Sequence, residues 1–288
     1  VVDLIEVAEV IQPQREAEIP PWREGDAYVA GGTWLFSEPQ PGVRRLIDLT
    51  RIPWEPLSQT DGGLRIAATC TYDELEARRD RLGTAGPLFS RAIRTLSSSF
   101  KTYGVATVGG NLCLAYAKSM MAPVCCALNA RYELATPAGE VRWVAAREFQ
   151  IGAMQTVRRP GEYLRAVHLP RSATRGTYAL RKHSYTPTSH ATAMVIAART
   201  SEAGGNGEDP LSRASLVVSA ATTLPVRVDL PVAATATDAA RAAARVCEEH
   251  PMLEDGHGSA PYRRAVVRHL AERAWAAVQT DPGAEEEA

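Results

Sequence analysis

Two glycine pairs carry the residue types best suited to chemistry in this sequence: Ala30-Gly31-Gly32-Thr33 and Thr107-Val108-Gly109-Gly110-Asn111. Without a Cβ, glycine reaches positive φ and lets backbone N–H groups approach an anion. Successive N–H groups in such a turn form a concave nest for phosphate. Thr33 and Thr107 add a hydroxyl beside each pair, and Asn111 adds an amide. Two nests in one domain suit a ligand with two phosphates, such as a dinucleotide. The competing reading of either pair alone is an ordinary turn.

Other phosphate sites fail on their residues. Gly104 and Gly109 have the glycine spacing of a P-loop, but Gly110-Asn111 stand where lysine and hydroxyl are required. No G-x-G-x-x-G follows a strand, which excludes the Rossmann dinucleotide turn. The six histidines (His168, His183, His190, His250, His257, His269) lack the H-E-x-x-H spacing of a metal site. No G-x-S-x-G elbow exists for a serine hydrolase. The five cysteines form no C-x-x-C pair; Cys125-Cys126, within an apolar run, read as core-filling thiols.

The elements that must position the turns follow from punctuation and periodicity. Strands are expected at 4–7, 27–30, 44–49 and 64–69. Thr71-Tyr72-Asp73-Glu74 is a capping box, so a helix starts there and runs to about Arg79. A second helix spans about Pro87 to Leu96 and ends in Ser97-Ser98-Ser99, and Met120 to Leu128 reads as a buried helix. Residues 131–135 and 141–144 form a hairpin, and 163–169 add a strand closed by Pro170. Beyond it, 177–181, 191–199 and 213–219 read as an antiparallel sheet interrupted by a mobile glycine-rich loop at 201–210. Helices follow at 238–249 and 261–278, with a frayed acidic end.

With 288 residues and a net charge of −1, the bulk balance implies no nucleic-acid surface. The first residues lack a secretory pattern, no apolar run approaches a membrane span, and reduced thiols suit the cytoplasm.

The segment Ala30 to Leu35 resembles the first FAD-binding turn of the flavoprotein (medium) subunits of molybdenum hydroxylases, the carbon-monoxide dehydrogenase and xanthine dehydrogenase type. Ala106 to Leu112 is similar to the second flavin turn of that family, and 45–49, 66–75 and 160–170 also match. The resemblance covers nearly the whole chain. It implies an α+β fold: an FAD-binding domain of the vanillyl-alcohol-oxidase (PCMH) type over 1–172, built from two α+β subdomains. A small C-terminal domain of the CO-dehydrogenase flavoprotein type, with an antiparallel sheet and helices, follows over 173–280, then an acidic tail over 281–288. Cofactor-binding positions carried over by the match are Tyr28, Val29, Ala30, Gly31, Gly32, Thr33, Trp34, Leu35, Ala106, Thr107, Gly109, Gly110, Asn111 and Leu164. Lys182 stands where a basic residue near the flavin ring is expected; an exposed strand-end charge is the alternative. Trp34 either shields the dinucleotide or seals the subdomain interface. His183 and His190 flank a hydroxyl-rich turn that faces either the flavin or solvent.

One stretch departs from the family. After the second turn, relatives carry an acidic, proline-containing segment whose last aspartate helps hold the flavin. Here Leu114 to Met120 replaces both acids, by Tyr116 and Met120, and introduces Lys118. A thioether is a weak acceptor for a ribityl hydroxyl.

The resemblance implies an oxidoreductase subunit that assembles with a small 2Fe–2S subunit and a large molybdopterin subunit. It would pass electrons through FAD to NAD, dioxygen or a quinone, and it would need no catalytic acid, base, nucleophile or metal of its own. Two alternatives remain open: a flavin-free assembly module that keeps the fold, and a stand-alone FAD-dependent reductase or oxidase.

Overall fold

The computed structural model describes residues 4–95, 100–186, 189–202 and 211–280. The end of the second expected helix at Leu96, the serine run 97–99, most of the glycine-rich loop and the acidic tail lie outside the described residues.

A three-stranded parallel sheet comes first, with Arg45–Asp48 between Glu9–Ile11 and Asp26–Val29. The expected strand at 4–7 is displaced: pairing starts at Glu9, which lies opposite Arg45. Parallel pairing needs crossover connections, and the loop carrying the first glycine pair is one of them. Beneath this sheet Ile19, Ile47, Leu49 and Tyr163 form a small core.

A five-stranded antiparallel sheet follows, in the order Leu57–Thr60, Gly63–Ala67, Tyr163–Pro170, Arg131–Ala135, Val141–Ala145. The expected helices appear at Tyr72–Glu76, Ala85–Arg94 and Met121–Ala127. The Thr71 capping box is formed, with Glu74 N–H donating to Thr71 Oγ1 and Glu74 accepting from Thr71 N–H.

The last sheet is a four-stranded antiparallel meander: Thr177–His183, Ala193–Glu202, Leu211–Ser219 and Val226–Leu230. Its central strands carry unbroken apolar runs, Ala193 to Ala198 and Leu216 to Val218, because both faces are covered there. Met194, Ile196 and Val217 face the core shared with the preceding helices, whereas Ala193, Val195, Leu216 and Val218 pack under Ala236–Glu249 and Ala260–Gln279. The meander therefore joins the N-terminal layers to the two last helices. Among the described residues no helix is long and apolar enough to cross a membrane.

Candidate functional site: a cleft over two unequal glycine turns

The strand Asp26–Val29 delivers the first turn, and an ion pair fixes where that strand begins. Arg45 donates from Nε to Asp26 Oδ1 (2.7 Å) and from Nη2 to Asp26 Oδ2 (2.6 Å), both side chains being buried. Burial alone would raise the Asp26 carboxyl, but Arg45 and the Arg23 backbone N–H (2.8 Å) outweigh it and hold it below the usual range. Further along, Tyr28 packs between Trp22 and Tyr163 and donates its hydroxyl to Gly161 O at 3.0 Å.

The first turn is open. Among the described residues, the N–H groups of Gly31, Gly32, Thr33, Trp34 and Leu35 donate to no acceptor. Gly32 has φ +67°, so a side chain there would be strained, while Gly31 is glycine for space: a Cβ would sit 2.1 Å from Val105 O. The turn thus lies directly on the approach to the second one. Five adjacent donors with no internal partner form the kind of concavity that accepts phosphate oxygens.

The second turn differs from its expectation. It is the opening of a helix, Val108–Leu114, capped by Thr107, whose Oγ1 accepts from Gly110 N–H at 3.0 Å. Gly109 N–H donates to Ala68 O (2.8 Å) and Asn111 N–H to Thr107 O (3.1 Å), so these N–H groups are already spent. Neither Gly109 nor Gly110 has positive φ. Gly109 is required because a Cβ would sit 2.5 Å from Ala68 Cβ, and Gly110 because one would sit 2.9 Å from Thr107 Oγ1. The second pair is therefore a packing device that leaves the Thr107 hydroxyl proton to offer, and the expected second nest is corrected to a closed helix start. Asn111 is also committed: its Oδ1 accepts from Ser119 Oγ and from Met121 N–H.

The turns share one cleft of about 440 Å³. Tyr28, Val29, Ala30, Gly31, Gly32, Thr33, Trp34 and Leu35 form one wall; Ala106, Thr107, Gly109, Gly110 and Asn111 lie across from it, and Leu164 closes an end. Sequence reasoning missed Arg158, Cys113 and Met154, which also line it. Arg158 stands just before the Pro160-Gly161 turn, and only the fold brings it beside Tyr28 and Leu164. Lys182 is not part of the lining: its Nζ donates to Thr95 O and Ser189 O, both at 3.0 Å, and burial lowers its pKa.

The departing segment is built into the seam with the last sheet and helices. Met120 is buried and its Sδ accepts from Thr95 Oγ1 at 2.9 Å, so it faces the core. Lys118, also buried, reaches Asp255 Oδ2 at 2.7 Å and His257 Nδ1 at 3.1 Å. Burial would raise Asp255, but Lys118, the His257 backbone N–H and the Arg263 guanidinium dominate and hold it down to about 2. Arg263, fully buried, donates to the carbonyls of Thr192, Ala220 and Gly258 as well as to Asp255. Arg263 therefore ties the start of the last helix to three other segments and presents no charge to solvent. The paired cysteines are core residues: burial pushes the Cys125 thiol up to about 12, and Cys126 is raised too. Among the described residues no cluster of ligating side chains could hold a metal ion.

A cofactor with a diphosphate fits this cleft. The open N–H run on its wall supplies the anion contacts. Comparison with known proteins agrees. The family described as the FAD binding domain in molybdopterin dehydrogenase matches residues 7–172. Among solved structures, reconstituted CO dehydrogenase from Oligotropha carboxidovorans is similar at 24% identity and a TM-score of 0.81, over 94% of this chain and 97% of that one. Quinoline 2-oxidoreductase from Pseudomonas putida 86 is similar at 22% identity and a TM-score of 0.75, over 94% and 96%. Carbon monoxide dehydrogenase from Hydrogenophaga pseudoflava, lacking the Mo-pyranopterin moiety, is similar at 22% identity and a TM-score of 0.77, over 95% and 97%. At these identities the structures establish the fold. No curated protein matches the chain. The chain belongs to the family of FAD-binding domains of molybdopterin dehydrogenases, the flavoproteins of the molybdenum hydroxylases, and FAD is the cofactor of that family.

Proposed function

We propose that this family member is the electron-transfer subunit of a molybdenum hydroxylase, working in the cytoplasm beside a small 2Fe–2S subunit and a large molybdopterin subunit. The observation that carries this reading is the open run of N–H groups from Gly31 to Leu35 on the wall of a cleft in a family of FAD-binding domains. When bound, FAD exchanges single electrons with iron–sulfur centres and delivers two to an acceptor, the protein supplying position and electrostatics. The first turn holds the diphosphate, with the Thr107 hydroxyl donating from the opposite wall. Leu164 and Tyr28 also line the cleft and would offer apolar surface to the adenosine half. Substrate hydroxylation belongs to the large subunit, and the acceptor is NAD, dioxygen or a quinone.

A second reading, an assembly module without flavin, draws on the closed second turn and on Met120 and Tyr116 in place of carboxylates. Co-expression with the adjacent small- and large-subunit genes, followed by affinity purification through this chain, tests the subunit assignment. Recovery of the three chains with FAD supports it. Recovery of this chain alone, turning over an organic substrate by itself, contradicts it.

A further inference from the structure

Beyond the diphosphate turn one aromatic ring of the cleft wall, Trp34, is backed by further rings outside the lining that the reading above does not use. Trp34, directly after the turn, lines the cleft and is 38% exposed. Tyr116 lies against it, ring centroids 6.0 Å apart and planes 31° apart, and His190 packs edge-on against Tyr116. Among the described residues the Tyr116 hydroxyl has no hydrogen-bond partner. The pair is held by backbone rather than by mutual packing alone. Ala115 ends the helix Val108–Leu114 in the left-handed conformation at φ +51°, unusual for a residue with a Cβ. Its carbonyl accepts from Met154 N–H (2.9 Å) and from Gln150 Nε2 (2.8 Å), which fixes the bend that turns the chain toward Trp34. Met154 is itself left-handed, at φ +59°, and half-exposed on the cleft wall. A strained backbone over-determined by its hydrogen bonds is a mark of a site rather than of a simple turn.

We infer that Trp34 and Tyr116 form the seat of the flavin's tricyclic ring, which is held there by stacking. Three features support that occupant. A flat, electron-poor ring system is the part of FAD that gains most from offset aromatic contact. Trp34 is two residues beyond Gly32, so a ligand whose diphosphate sits on the open turn extends its next group along this wall. The segment that lacks both acids is the one that supplies Tyr116. This inference rests on FAD binding in the cleft.

The test compares FAD with ADP on the full-length chain, for wild type, Trp34→Ala, Trp34→Phe and the Trp34→Ala/Tyr116→Ala double variant. ADP reports the diphosphate turn and correct folding in every sample. Loss of two aromatic contacts lowers FAD affinity by about tenfold or more, while ADP affinity holds within about twofold. Trp34→Phe retains most of the FAD affinity, and flavin fluorescence, quenched in wild type, recovers in Trp34→Ala. Unchanged FAD affinity in the double variant overturns the inference, as does an equal loss for FAD and ADP. A wild-type chain that binds ADP but gains nothing from the flavin half overturns it too. A wild-type chain that binds neither ligand overturns the cofactor reading itself, a result distinct from the others.

Discussion

The two glycine turns look alike in sequence and perform different physical tasks. The first, Gly31-Gly32, leaves five consecutive N–H groups without partners among the described residues and includes a positive φ at Gly32. The second, Gly109-Gly110, spends its N–H groups on Ala68 O and Thr107 Oγ1 and begins a helix with ordinary φ angles. One pair is glycine partly for conformation, and the other is glycine for space alone. The lesson is that a doubled glycine identifies a close approach, and the hydrogen-bond census decides whether a ligand or the protein's own backbone makes it.

The comparison breaks most severely where a side chain would meet backbone. Gly31→Val and Gly109→Val place a Cβ about where Val105 O and Ala68 already lie. Each variant is expected to lose about 3 kcal/mol or more of stability, read as a large drop in thermal midpoint or as insoluble protein. Wild-type melting in either would remove the packing argument.

Gly32→Ala and Thr107→Val sharpen the contrast. The first adopts a left-handed conformation with a Cβ, at a cost of about 1–2 kcal/mol. The exposed Phe36 ring, which the Cβ would meet at 2.3 Å, can swing away. Because the turn's open donors re-aim, FAD affinity falls by more than the stability loss accounts for. Thr107→Val removes the cap of Gly110 N–H and costs about 1 kcal/mol of stability. It affects binding only through the single hydroxyl. Calorimetry with FAD alongside thermal melts separates the two; an equal effect on binding would make the turns equivalent after all.

The smallest effect concerns the seam that displaced the family's acids. The Asp255 carboxyl is held down to about 2, below its unfolded range near ~3.9. Its contribution is therefore complete above about pH 4 and is lost as pH falls from there toward 2. Lys118→Met removes the buried partner, brings Asp255 back toward its ordinary range and flattens that acid limb, although Arg263 remains bound to it. Burial, with the charges of Lys118 and His257, also lowers the His190 pKa, adding a shallow loss of stability as pH falls below about 6.5. Melting curves from pH 7 to 3 for both proteins check these signs.

How much of this was legible depends on the range of the interactions. The Thr71–Glu74 capping box needs three residues, and the helix Tyr72–Glu76 begins where the sequence places it. The hairpin around Pro137-Ala138-Gly139 and the apolar strands of the last sheet were legible for the same local reason. The helix Val108–Leu114 was hidden because two glycines in its first turn depress helix propensity, and what stabilises it is a cap and a bond to Ala68. The edge strand Val226–Leu230 was missed although Val-Arg-Val alternation signals it. Nothing local connects Lys118 to Asp255 or buries Arg263 among the carbonyls of three separate segments. About half of the cleft lining was legible through the family resemblance; the open and closed states of its turns were not, because both depend on partners distant in sequence.

The most direct test of the account is a titration of FAD into the purified full-length chain, followed by visible absorption and acid release of the chromophore. The account predicts saturable, non-covalent binding of one FAD per chain at about micromolar concentration, with competition by ADP at the first glycine turn. A folded protein that stays colourless and leaves FAD free would contradict it.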